Sequence, residues 1–74
     1  MNSTYEKRLG ANIRTLRKKR GLTQDQVSAQ LQVLGCDITR SAYAKLEVGQ
    51  RHIYADELKL LCEVLHVSFD ELFV

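Results

Sequence analysis

Arg40, Ser41, Ala44 and Lys45 sit at helical spacing in the segment Thr39-Arg40-Ser41-Ala42-Tyr43-Ala44-Lys45-Leu46-Glu47, which brings the four onto one side of any helix formed there. Their chemistry is recognition rather than bond making. Arginine offers a planar fork of N–H donors, lysine a point donor, serine a group that can donate or accept, and alanine a bare methyl. The residues that bond making would need are scattered. Cys36 and Cys62 are the only cysteines and lack CxxC spacing, and His52 and His66 are too far from them in sequence to complete a metal site. No HExxH pair, no Ser-His-Asp order, no phosphate-cradling glycine loop and no convergent carboxylate pair occurs. The expectation is therefore no catalytic residue, no metal and no cofactor, with two free thiols and with His52 as a solvated or phosphate-facing residue.

Helices must position that segment, and the sequence marks their ends. Ser3 with Glu6 reads as a capping box, after which Tyr5, Leu9, Ile13 and Leu16 recur at helical spacing until Gly21. Thr23 with Gln26 opens a second helix whose Val27, Leu31 and Leu34 share a face and which stops at Gly35. Cys36-Asp37-Ile38 then connects to a third helix, from Thr39 or Arg40 to about Glu47, with Thr39 as N-cap, Tyr43 and Leu46 inward and Gly49 as terminator. Asp56 and Glu57 suit the first turn of a fourth helix, whose buried stripe is Leu58, Leu61, Cys62 and Leu65 and whose last turn holds His66 in a left-handed conformation. Ser68 with Glu71 starts a short fifth helix carrying Phe69, Leu72 and Phe73. None of these is long enough to stand alone, so the prediction is an all-α, compact five-helix bundle, one domain over residues 1–74.

The formal net charge of +2 is too small to name a partner, but its distribution is uneven. Met1 to Arg20 carries seven bases against Glu6, whereas His52 to Val74 carries Lys59 against Asp56, Glu57, Glu63, Asp70 and Glu71. Met1 to Tyr5 is polar where a signal peptide needs an apolar stretch, and no apolar run approaches a membrane span. A cytoplasmic location with no membrane partner is expected.

From Leu22 to Gly49 the order is helix, glycine-containing turn, short helix, the layout in which the second helix enters a DNA major groove. The runs Ile13-Arg14-x-Leu16-Arg17-x-x-Arg20-Gly21-Leu22-Thr23-Gln24, Ala42-Tyr43-x-Lys45-Leu46-Glu47-x-Gly49-x-Arg51 and Leu65-x-Val67-Ser68-x-Asp70-Glu71-Leu72 resemble the phage-repressor and Cro-like (XRE-type) family of helix-turn-helix transcriptional regulators. The likeness extends from about Leu9 to Phe73. It implies a lambda-repressor-like DNA-binding domain with its helix-turn-helix at about residues 23–47, acting on double-stranded DNA, typically as a repressor. One departure stands out: between Leu31 and Thr39 the chain has several more residues, Gln32 to Ile38, than the family's common short turn, so either helix two is extended or the turn is longer.

A helix in the major groove reads base edges from its N-terminal half. Arg40 can pair with guanine O6 and N7, Lys45 can donate to the same edge, Ser41 can bond either partner type, and Ala44 can meet a thymine methyl. Gln24, at the start of helix two, lies where free amides grip a phosphate, and the resemblance implies that role for it. Thr39 and Arg51 are further phosphate candidates, with His52 and Tyr54 behind them. The resemblance also pairs Arg17 with Glu47 as a structural ion pair. Tyr43 packs inward at a position that is aliphatic in the family, with a hydroxyl that can emerge toward a phosphate. Phe69, Phe73 and Val74 read equally as a core lid or a dimer surface. The resulting expectation is a homodimer joined at the helix four and five end, on a palindromic operator with recognition helices about 34 Å apart. The rival is a protein-interaction module, such as an antitoxin or a partner-controlled regulator. That rival would call for aromatic anchors on helix three, where Arg40, Ser41 and Lys45 stand instead.

Overall fold

The computed structural model describes residues 3–73. Five helices account for most of them: α1 Ser3–Lys19, α2 Gln24–Val33, α3 Arg40–Glu47, α4 Ala55–Leu65 and α5 Phe69–Leu72, with no strand among the described residues. The bundle is all-α, as predicted. The capping role expected of the Ser3 side chain and the surface role of Val74 lie outside the described residues.

Local chemistry sets the boundaries. At α2 the Gln26 N–H donates to Thr23 Oγ1 at 3.1 Å while the Thr23 N–H donates to Gln26 Oε1 at 2.8 Å, a reciprocal box that satisfies two otherwise orphaned donors. Ser68 and Glu71 repeat the arrangement at α5. The Ala42 N–H donates to Thr39 Oγ1 at 3.1 Å to open α3. At α4, Glu57 reaches back to accept the Tyr54 N–H at 3.0 Å. His66 ends α4 in the left-handed region at φ 55°, ψ 49°, the single described non-glycine residue with positive φ.

Packing brings α1 against α3 and α5, α2 against α3 and α4, and α4 against α5. Ile13, Val27, Leu31, Ile38, Tyr43, Leu46, Leu61, Leu65 and Leu72 form the fully buried centre. Two expectations fail here for a shared reason. Leu34, predicted to continue the buried face of α2, is 45% exposed, because α2 ends at Val33 and Leu34 serves as its C-cap before Gly35 (φ 95°) reverses the chain. The reversal carries Ile38, read from sequence as plain connection, into the core instead. Tyr5 is likewise exposed rather than part of the α1 stripe, and Val64 joins the α4 stripe beside half-buried Leu58 and Cys62.

The approach of α1 to α3 is close because Gly10 has no side chain. A Cβ there would lie 2.7 Å from the Glu47 carbonyl oxygen and would also collide with that of Leu46. Both obstacles are backbone, so neither can rotate away. Gly49, at φ 77°, serves the same contact from the other end, since a Cβ on it would sit 2.8 Å from Lys7 Cα.

Candidate nucleic-acid interface

Helix α3 is fixed from behind. Tyr43 and Leu46 are fully buried and Glu47 nearly so, which at helical spacing leaves Arg40, Ser41 and Lys45 exposed and Ala44 half-buried on the opposite side. The structure thus gathers all four residues expected to read base edges on one side of α3, three of them exposed.

The fixing point is charged. Arg17 Nε donates to Glu47 Oε2 at 2.7 Å, Nη2 donates to Oε1 at 3.2 Å, and Nη1 donates to the Leu22 carbonyl at 2.8 Å. The two side chains are 9% and 1% exposed. Burial alone would favour a neutral Glu47, but the hydrogen bonds from Arg17 and Gln24 outweigh it and hold the carboxyl below the usual carboxylate range. The same pairing moves Arg17 further above its ordinary value. The bidentate contact with Glu47 and the bond to Leu22 together tie α1, the α1–α2 turn and the last turn of α3.

Of the expected phosphate ligands, Tyr43 is corrected. It is 0% exposed, and its hydroxyl faces Glu47 and Arg17 inside the core without reaching hydrogen-bonding geometry with any described residue. Burial raises that phenol well above its ordinary value, so it stays neutral. The ring is enclosed in the hydrophobic core, so it cannot touch a phosphate.

The remaining candidates are exposed or half-buried, and most are already engaged within the chain. Gln24 Nε2 donates to Glu47 Oε1 at 3.1 Å. Thr39 gives its oxygen to the α3 cap. Arg51 meets Glu57 through two bonds of 2.9 and 2.8 Å and donates a further one to the His52 carbonyl at 3.0 Å. The Arg51 hydrogen bond in turn holds Glu57 below the ordinary carboxylate range against the opposing effect of burial. His52 Nδ1 lies 2.8 Å from Glu6 Oε2, and its ring stands edge-on to Tyr54 with centroids 4.7 Å apart. These contacts brace the loop between α3 and α4.

Sequence reasoning missed three partners. Arg20, counted among the basic residues of the N-terminal run, donates to the carbonyls of Leu65 and His66 at 2.8 and 2.7 Å, where the negative end of the α4 dipole favours a cation. Asn12 Nδ2 donates to the Leu72 carbonyl at 2.9 Å and joins α1 to α5. Asp25, in the first turn of α2, brings Oδ1 to 3.7 Å from Arg40 Nε. All three join residues far apart in sequence, and no local pattern signals them.

Among the described residues no group of three His, Cys, Asp or Glu side chains is arranged to hold a metal, and no helix is long and apolar enough to cross a membrane. Cys36 and Cys62 are free and half-buried, and burial raises both thiols above their ordinary value.

A helix-turn-helix family model matches residues 13–72, nearly the whole bundle. The chain belongs to the helix-turn-helix family of the phage-repressor and Cro-like (XRE) type. This helix-turn-helix protein is also similar to the crystal structure of the DNA-binding domain of BldD, with a TM-score of 0.82 and 27% identity over 100% of both chains. No curated protein matches it. As a member of this family it is a DNA-binding regulator of transcription and not an enzyme.

Proposed function

We propose that this protein is a sequence-specific regulator that inserts α3 into the major groove of double-stranded DNA and represses transcription by excluding polymerase from its operator. The observation that carries this reading is the exposed set Arg40, Ser41 and Lys45 on a helix whose other side is fixed by Tyr43, Leu46 and the Arg17–Glu47 pair. A rigid helix with an outward donor face is what base-edge readout requires. The similar BldD structure, itself a DNA-binding domain, supports the same reading.

Arg40 reads a guanine, Lys45 and Ser41 read neighbouring edges, and Ala44 meets a thymine methyl. Phosphates are met by the backbone amides at the start of α2, beside Gln24, and by the Thr39 hydroxyl, with Arg51 and His52 bracing the loop that approaches the next phosphate. The protein acts as a homodimer. Phe69 and Phe73 on the α5 end are 49% and 46% exposed, and the Phe73 ring lies 6.5 Å from that of half-exposed Tyr5, an aromatic surface suited to a second copy. Pairing through that end sets the two recognition helices about 34 Å apart, one turn of a palindromic site.

Selection of bound fragments from a random duplex library tests this. A recovered inverted repeat whose preference at one guanine disappears with Arg40→Ala is expected. Recovery of no sequence preference, or an unchanged preference in Arg40→Ala, defeats the reading. Sedimentation of the free protein and of the protein with the recovered duplex reports the stoichiometry.

A further inference from the structure

Asp25 stands where an anion works against the affinity of the surface that carries it. It lies in the first turn of α2 beside Gln24, and its carboxylate Oδ1 is 3.7 Å from Nε of Arg40, the foremost exposed donor of α3. The two side chains are 76% and 66% exposed. An ion pair so open to solvent contributes little to holding α2 and α3 together, a task already done by buried contacts. An acid in a first helical turn does oppose the positive end of the dipole. That accounts for a carboxylate on α2 but not for its lying against the base-reading arginine.

The geometry of the contact is informative. A guanidinium has two usable edges, one that includes Nε–H and one formed by the Nη1 and Nη2 ends of the fork. Asp25 approaches from Nε. The Nη1 and Nη2 end of the fork makes no ion pair among the described residues, and its two donors can match the paired acceptors O6 and N7 of guanine. Among the described residues Arg40 has no other ion-pair partner. Without Asp25, the same long side chain could swing to a phosphate, which binds any sequence equally well.

We infer that Asp25 is a specificity-determining positioning residue, which holds Arg40 by its Nε edge with the fork aimed at guanine and, through its own charge, lowers the affinity of the surface for phosphates. The inference rests on α3 being the recognition helix. Asp25 thus trades total affinity for discrimination.

The test compares wild type, Asp25→Asn, Asp25→Glu and Arg40→Ala on three probes: the duplex selected by the wild-type protein, that duplex changed at the guanine to which Arg40→Ala is blind, and a random-sequence duplex of equal length. Asp25→Asn is expected to lower the preference for that guanine by about five-fold or more. It should raise the affinity for random duplex by about two-fold or more, with a salt slope steeper by up to about 0.9 as Arg40 drops onto a phosphate. Asp25→Glu restores the charge and should return random-duplex affinity toward wild type. These opposite movements on selected and random DNA cannot come from simple loss of fold, and the melting temperature of Asp25→Asn should stay near that of wild type. Equal loss on all three probes, or unchanged preference in Asp25→Asn while Arg40→Ala still abolishes it, overturns the role of Asp25 alone. If Arg40→Ala itself leaves every base preference intact, the recognition-helix reading falls and the role of Asp25 falls with it.

Discussion

Replacing Arg17 with alanine should be strongly damaging while leaving the outward face of α3 untouched. In the native chain Glu47 is 1% exposed and receives two hydrogen bonds from Arg17 and one from Gln24. Arg17→Ala removes the first two and leaves a carboxylate buried with a single neutral donor. Breaking a buried pair from one side costs roughly 3–5 kcal/mol, because the remaining charge is uncompensated. A chain of 74 residues has in total about 4–11 kcal/mol of stability, so much of the margin goes. For a domain of this size each kcal/mol shifts the melting temperature by about 4–8 °C, and a fall of at least about 12 °C is expected.

The pH dependence separates this cause from mere loss of packing. With its folded value depressed, wild-type Glu47 contributes stability that is fully present above the ordinary carboxylate value near about 4.3 and is lost as pH falls through the lower folded value. In Arg17→Ala the sign reverses, since burial without the guanidinium favours the protonated acid, and lowering the pH relieves the strain. The stability gap between the two proteins should therefore be widest at neutral pH and narrow as pH falls below about 5. Urea unfolding at pH 7 and pH 4, followed by circular dichroism, measures it. Arg17→Met/Glu47→Leu, which removes both charges, should recover most of the loss. A deficit below about 1 kcal/mol, or one equally large at both pH values, would refute the assignment of Glu47 as a stranded buried charge.

Four further outcomes follow from single contacts. Tyr43→Phe should be neutral or stabilising by up to about 1 kcal/mol in thermal unfolding, because the hydroxyl it removes is buried without a hydrogen bond. Gly10→Ala should cost about 2 kcal/mol or more despite the better helix propensity of alanine, since its methyl meets the backbone of Leu46 and Glu47, and α1 must separate from α3. Arg20→Ala should cost about 1 kcal/mol, less at high salt, as two carbonyls at the end of α4 lose a charged donor. Arg51→Ala should lower the melting temperature as well as DNA affinity, because it releases the carboxylate of Glu57 along with the α3–α4 loop; loss of affinity with no change in melting would mark Arg51 as a phosphate ligand alone.

How far the sequence discloses this fold depends on the range of each interaction. Helix starts at Thr23, Thr39 and Ser68 are legible because an N-cap and its partner lie three residues apart, and the stops at Gly21, Gly35 and Gly49 because a left-handed residue is needed there. The Arg17–Glu47 pair spans thirty residues and came into view only through family resemblance. Leu34 and Ile38 exchange their expected roles because a helical period cannot report where a cap rotates the chain out of register. The outward residues of α3 follow from the period and the buried Tyr43 and Leu46, but the nearness of Asp25 to Arg40 does not. It depends on the length of the α2–α3 turn, which has no local signature.

The division of labour among the arginines bears directly on binding. Eleven lysines and arginines suggest a diffuse cationic surface, yet Arg17 and Arg51 are paired with carboxylates and Arg20 caps a helix, so the fold draws three of the strongest donors away from solvent phosphates. Each phosphate neutralised adds about 0.9 to the salt slope of binding, and a cation held by a carboxylate of the same chain adds nothing while it stays there. A limited affinity for arbitrary DNA is the expected consequence. Arg40 is also near a carboxylate, but that contact is exposed and reaches only one edge of the guanidinium, so Arg40 keeps donors that a base can use. Buried pairing makes arginine a structural element in this bundle, and exposed pairing leaves it able to choose.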